Sequence, residues 1–576
     1  MSPLVITVHS GSFVPASIYK TIFPVTCMAL MLTLSSCGPQ PLDAVDDLSG
    51  IDQAQIIDEL HRHIEILASD EFGGRAPATR GEELTTAYLQ EQFMNLGLQP
   101  GNGDSYLQEV PVTEITAAGN AVLSLRGSDY SADLTYASDM VVATYQEVEQ
   151  TGLTDSDLVF VGYGIVAPER EWDDYAGVDV RGKTVVILVN DPGYVTQDPE
   201  LFNGNAMTWY GRWPYKYEEA ARQGAAGALI IHETGAAAYG WDVVRNSWTG
   251  PQIKISADDA GADQSNIIGW LTQDSARGLF AGAGLDLDAL MAAALSRDFQ
   301  AVPIGDVKAS VSLSNTIRRS SSNNVIAVLP GKARPDETII YTAHWDHLGI
   351  NAELPGDNIY NGAVDNASGT AALLSLARLF SEYPVKPDRS VVFLSVTAEE
   401  SGLLGSQWYS EHPLFPLAKT VANINMDSAV VNGAMHDVVV VGMGNSELED
   451  YLHDAVANQE SRYIVQEPHP ERGTYYRSDH LNFARHGVPA LYAKSGDDSV
   501  ANGKEWGAAR SQEYVDQRYH SPADEYNPDW DLTGAMQDIL LYFAIGYRLS
   551  QENSWPNWYE GNEFRPLRDE TAAQRN

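Results

Sequence analysis

The second half of the chain holds a series of near-continuous apolar runs: TIIYTAH (338–344), SVVFLSVTAEE (390–400), TVANINMDS (420–428), DVVVVG (437–442) and VPALYAKS (488–495). Helical segments fall between them, such as TAALLSLARLF at 370–380. Strands that are apolar on both faces and alternate with helices make an α/β domain, in which a mostly parallel or mixed sheet is sandwiched by helices. In such a sheet, ligands bind beyond the carboxyl ends of the strands. The residues at those ends are therefore the first candidates for function.

Four segments end in, or run into, a side chain that binds cations. The first ends on His344, and the loop NIYNGAVDNASG carries Asp365 just ahead of the 370–380 helix. The second ends on Glu399 and Glu400, and the third on Asp427. A fifth group, His520, follows Tyr519 in the polar loop YHSPAD. A lone strand-end Asp is most often a turn former or helix cap. Three carboxylates converging on one sheet edge are different, because uncompensated they repel one another. Two divalent cations sharing one carboxylate would neutralise them and leave each cation an open position for water. The two cysteines, Cys27 and Cys37, lie near the N-terminus, so a metal in the body of the protein must use His, Asp and Glu. A net charge of −42 repels phosphate backbones, which sets nucleic-acid binding aside.

The motifs HWDHLG, GAVDNASG, AEESGLLGS, NMDS, RSDHLNF and YHSPAD resemble, in order, those of the M28 family of co-catalytic zinc peptidases. The resemblance implies a zinc-peptidase/phosphorylase-like fold, two Zn²⁺ per chain and peptide substrates, with no protein partner evident. It implies that Asp365 bridges the metals, that His344 and Asp427 complete one site, and that Glu400 and His520 complete the other. By the same resemblance Glu399 is the general base for a hydroxide held between the metals, and Tyr519 and Arg477 assist the oxyanion. Asp346, two residues past His344, is expected to orient that imidazole. Successive strand side chains face opposite ways, so Glu399 and Glu400 share a site only if the backbone turns, a turn assigned to Ser401-Gly402. His347, Asp479 and His480 are read as structural, and His436, His453, His469 and His486 as surface or core residues. The implied activity is that of an aminopeptidase. A carboxypeptidase, a dipeptidase or a single-zinc cyclase on the same scaffold, and a receptor that lost its chemistry, are the alternatives. Five ligands argue against one metal and against a receptor, and Arg477 is the one obvious cation for a substrate carboxylate.

The remaining sequence divides around this domain. Residues 1–36 read as a lipoprotein signal peptide: an apolar run at 22–34 follows Lys20 and leads to Ser35, Ser36 and Cys37, similar to a lipobox. Acylation of Cys37 would make the protein exported and lipid-anchored at a bacterial cell envelope, touching the membrane only through that anchor. Residues 37–50 form a tether. Residues 51–118 carry two amphipathic helices, at 51–68 and 81–97, with His61 and His63 placed at the surface. Residues 119–305 resemble an inserted, β-rich protease-associated domain. Its cluster of Trp209, Tyr210, Trp213, Tyr215 and Tyr217 reads either as core or as the wall of a cleft over the site. Residues 306–550 form the peptidase domain and 551–576 a C-terminal tail.

Overall fold

The structure, a computed structural model, describes residues 48–575. The apolar run at 22–34, Cys27, Cys37 and most of the expected tether lie outside the described residues. Helix α1, Gln53–Leu67, starts where the Asp52 side chain accepts the Gln55 N–H. It buries Ile56, Leu60, Ile64 and Leu67, one stripe at helical spacing. Helix α2, Arg80–Asn95, is capped by Thr79 and ends at Gly97. Gly97 sits at φ 71°, with its N–H donating to the Met94 carbonyl and the next N–H to Phe93. His63 departs from the sequence reading. It is buried against α2 with Nδ1 2.6 Å from the Tyr88 hydroxyl, and burial beside Arg62 pushes its pKa down to about 3. His61 is half-buried, 3.0 Å from the Tyr526 hydroxyl.

The α/β part is built on β1 (Leu107–Ala117), β2 (Val302–Leu329), β3 (Arg334–His344), β4 (Arg389–Val396), β5 (Thr420–Asn425) and β6 (Ala490–Ser495). Spatial order is β1-β2-β4-β3-β5-β6, with the last four strands parallel to one another and β2 antiparallel to both β1 and β4. Asp437–Val440 adds an antiparallel strand beyond β6. Strand parity divides the core into two layers. Ile339, Tyr341, Ala343, Val391 and Phe393 pack with α1, α3 (Gly369–Glu382) and α4 (Thr533–Gln551). Ile340, Val392, Leu394 and Val396 pack on the other side with Tyr409 and Phe483, which lie on the helices Leu404–Glu411 and His480–Arg485. Two covered faces explain why β4 and β5 are buried at every position. Among the described residues no helix is long and apolar enough to cross a membrane.

Strand β2 is 28 residues long and serves two sheets. Its residues 315–329 pair with β1 and β4, and 302–314 with strands Val122–Arg126 and Gln150–Phe160 of a second sheet. Thr184–Leu188, Gly227–Ile231 and Ile267–Leu271 continue that second sheet in parallel and are wholly buried. Pro251–Ile255, within the stretch expected as an insert, returns to pair with β1 at the edge of the first sheet. The aromatic cluster is core rather than cleft wall. Trp209, Tyr210, Tyr215 and Tyr217 are buried, and Trp209 meets Tyr476 at 6.2 Å between ring centroids. Trp209, Tyr210 and Tyr215 pack in the seam between the two sheets, whereas Tyr217 and the half-buried Trp213 pack with Trp248 on the second sheet. The C-terminal segment also docks into this seam, with Trp558 and Phe564 buried and Glu563 accepting the Tyr476 hydroxyl at 2.9 Å.

Candidate metal centre

Because β4, β3 and β5 are adjacent and parallel, their carboxyl ends lie side by side. His344 is the last residue of β3. After β4 the chain leaves the sheet, and Ala398 takes φ 53° just before the two glutamates. The turn thus begins ahead of the pair, and Gly402 (φ 108°) closes it, its N–H and that of Leu403 both donating to the Glu399 carbonyl at 2.9 Å. Asp427 lies two residues past β5, its carbonyl accepting the Tyr492 hydroxyl at 2.8 Å. Asp365 lies in a π-helical turn, Ala363–Ser368, that feeds α3. His520 lies in the loop after the helix Lys504–Gln517.

These five side chains meet. His344 Nε2 is 3.4 Å from Asp365 Oδ1 and 3.4 Å from Asp427 Oδ1. His520 Nε2 is 3.2 Å from Asp365 Oδ2 and 3.1 Å from Glu400 Oε2. Asp365 therefore offers one oxygen to each of two donor sets. A tetrahedral zinc ion with ligands at about 2.0–2.1 Å has ligand-to-ligand edges of about 3.3 Å, the spacing found in both. Hard carboxylate oxygens and borderline imidazoles suit zinc chemically.

Charge gives the same answer. Burial, reinforced by Asp427 and Glu400, pushes the Glu399 carboxyl well above the usual range. Burial alone would lower His344 and His520, but their carboxylate partners outweigh it, raising His344 well above an ordinary imidazole and His520 to about 10. Four carboxylates, Asp365, Glu399, Glu400 and Asp427, thus crowd around two imidazoles, and divalent cations held there would balance the excess negative charge.

His347, read from sequence as structural, lies in the site, and two supporting groups, Asp524 and Arg75, were not assigned from sequence. His347 Nδ1 lies 2.6 Å from Glu400 Oε1, and its Nε2 is buried without a hydrogen-bond partner among the described residues. His347, Asp365 and Glu400 form a donor cluster on one side, as His344, Asp365 and Asp427 do on the other. The spacing HWDH was the available signal. Asp524, fully buried, accepts the N–H groups of Val364 and Asp365 at 3.1 Å and so holds the turn that presents Asp365. Arg75, 1% exposed, donates to the carbonyls of Trp345, Asn361 and Gly362 at 2.6–2.8 Å, tying the loops that carry His344 and Asp365.

Asp346 differs from expectation. Its backbone carbonyl, not its carboxylate, is the group nearest His344 Nδ1, at 3.2 Å against 3.8 Å. The carboxylate accepts the N–H groups of Glu399 (3.1 Å) and Glu400 (3.4 Å), fixing the turn between them. Asp479 and His480 are fully buried: Asp479 accepts the Ser406 hydroxyl at 2.7 Å, and His480 packs among Tyr475 and Tyr492. Tyr519 stacks on His520 at 4.0 Å and is 47% exposed. Arg477 faces Tyr239, with 6.0 Å from guanidinium carbon to ring centroid.

Comparison with known proteins places the centre in context. Aminopeptidase NAALADL1 of Mus musculus is 37% identical over 129 residues, 22% of this chain and 16% of the mouse protein. A probable glutamate carboxypeptidase of Arabidopsis thaliana, AMP1, is 25% identical over 374 residues, 60% of this chain and 48% of that protein. The chain thus spans under half the length of either relative. The solved aminopeptidase from Aneurinibacillus sp. strain AM-1 aligns over 88% of this chain and 97% of its own, with 20% identity and a TM-score of 0.46. Residues 324–544, which carry β4, β3, β5 and all five converging side chains, match the family model of peptidase family M28.

Proposed function

We propose that this protein is a di-zinc aminopeptidase of the M28 type. The observation that carries the reading is the position of Asp365, each of whose oxygens lies within 3.4 Å of a histidine nitrogen belonging to a different donor set. His344, Asp365 and Asp427 would hold one zinc, and Asp365, Glu400 and His520 the other. When bound, the zinc ions would polarise the scissile carbonyl and bring a water pKa close to neutrality. Glu399 takes the proton of the attacking water on its carboxylate and returns it to the departing amine. A carboxyl whose proton affinity is raised by burial suits that two-way role. Tyr519, beside His520 and open to solvent, donates its hydroxyl proton toward the developing oxyanion.

Direction of attack follows from charge. Glu399 and Asp427 surround the His344 side with negative charge and favour a free α-ammonium there, as an N-terminal substrate requires. The relatives include an aminopeptidase and a probable carboxypeptidase, so substrate direction is the point to test. Free peptides and aminoacyl-nitroanilides are expected to lose their first residue, and N-acetylation to abolish cleavage. Release of C-terminal residues from an N-acetylated peptide would overturn the aminopeptidase assignment while leaving the metallopeptidase standing.

We further propose that Cys37 carries a lipid that anchors the protein at the cell envelope. Expressed in a bacterium, the wild type should sediment with membranes and Cys37→Ser should stay uncleaved or lose the lipid. An unmodified N-terminus downstream of Cys37, read by mass spectrometry, contradicts this.

A further inference from the structure

His347 is 1% exposed and stands in the donor cluster with Asp365 and Glu400, although the five converging side chains already supply both metal sets. Its neighbours fix where the ring lies. The His347 backbone N–H donates to the Arg75 carbonyl at 3.4 Å, and the Arg75 guanidinium holds the Gly362 carbonyl at 2.8 Å. Gly362, at φ 55°, has no room for a side chain, since a Cβ there would lie 2.5 Å from His347 Cδ2 and 2.6 Å from its Cγ. The imidazole thus packs directly on the backbone that leads to Asp365. His520 lies edge-on to it, with 5.7 Å between ring centroids.

Distance decides what this ring does. His347 Nδ1 lies 2.6 Å from Glu400 Oε1. Two ligands of one tetrahedral zinc ion stand about 3.3 Å apart, so these two atoms are too close to share an ion. Their separation is that of a short, charge-assisted hydrogen bond. Burial gives the bond its direction. Nε2 is buried without a hydrogen-bond partner among the described residues, and a proton there would be a stranded donor. Nδ1 faces a carboxylate, so the ring carries its proton on Nδ1 and donates it to Glu400. With its side chain 7% exposed, Glu400 has little solvent to supply a substitute. Oε1 is then occupied, and Oε2, 3.1 Å from His520 Nε2, is the oxygen left for a metal.

We infer that His347 is a positioning residue that confines Glu400 to a single ligating oxygen and so holds the His520-side site at the low coordination number that zinc takes. This deepens the di-zinc reading and rests on it. A carboxylate free to offer both oxygens suits harder cations with larger coordination shells, Mn²⁺ and Ca²⁺ among them. The hydrogen bond from His347 therefore acts on metal choice as well as on affinity.

The test strips metal from the zinc-loaded protein with a graded chelator, which gives its zinc dissociation constants, and repeats the series with Mn²⁺. Wild type is compared with His347→Leu, which fills similar space without a donor, and with His347→Asn, whose amide N–H reaches the place of Nδ1. One zinc constant should weaken by about 10–100-fold in His347→Leu, the usual effect of removing a partner that orients a metal ligand. The other constant should stay as in wild type, and His347→Asn should recover most of the loss. Mn²⁺ should lose less than zinc, so the preference for zinc narrows. In Co²⁺-loaded protein the visible bands should weaken in His347→Leu, because they report ligand number and not folding. His347→Ala replaces the leucine variant if that one does not fold. Unchanged zinc constants in the variant without a donor, or no recovery in His347→Asn, overturn the role of His347. A wild type that binds one zinc ion overturns the di-zinc reading instead, and the same comparison on that ion still decides for or against His347. If no zinc binds, both fall.

Discussion

Asp365→Ala protein should retain close to no bound metal, where the wild type should hold about two divalent ions per chain. The size of the effect comes from geometry. Each Asp365 oxygen lies beside a different histidine, which in turn lies beside a second carboxylate, so removing the side chain takes a ligand from both donor sets at once. His520→Asn removes one ligand from one set and should leave about one ion in place. Metal analysis of dialysed protein reads both results. Thermal stability gives a second readout, because a cation that binds only the folded chain at a hundred times its Kd stabilises it by about 2.7 kcal/mol. That increment should vanish in Asp365→Ala. A variant carrying the full metal complement would show that Asp365 does not bridge.

The second large effect separates two adjacent glutamates. Glu399→Gln should keep its metal and lose kcat by about 10²–10⁴-fold, the usual contribution of a positioned proton-transfer group. Glu400→Gln should instead lose metal from the His520 side, since Glu400 Oε2 lies 3.1 Å from His520 Nε2 and its Oε1 accepts from His347. Metal content and single-turnover rates distinguish the outcomes. Exchanged phenotypes would reverse the roles assigned to this pair. Asp346 makes the separation possible, because it accepts both backbone N–H groups and lets neighbouring side chains diverge from one turn.

Periodicity and residue chemistry were enough to locate α1 and α2, the buried parallel strands and the five metal-binding candidates. Most rest on a local signal: a 3.6-residue stripe, a doubly apolar run, or, for His344, Glu400 and Asp427, a cation-binding side chain at the end of such a run, whereas Asp365 and His520 stand in loops marked by their motifs. The pairing of β4, β3 and β5 then brings those ends together, as the strand-end rule requires. What surrounds the donors was decided only in three dimensions. Arg75 donates to carbonyls 270–287 residues further along the chain, and no spacing in the sequence connects them. Asp524 meets the N–H of Asp365 across 159 residues. His63 and the aromatic residues around Trp209 are buried because particular partners, Tyr88 and Tyr476, pack against them. A side chain's type limits what it can bind. Which backbone group, ring or charge it meets depends on long-range packing, and in this chain that packing sets the Asp346 carboxylate on the glutamate turn.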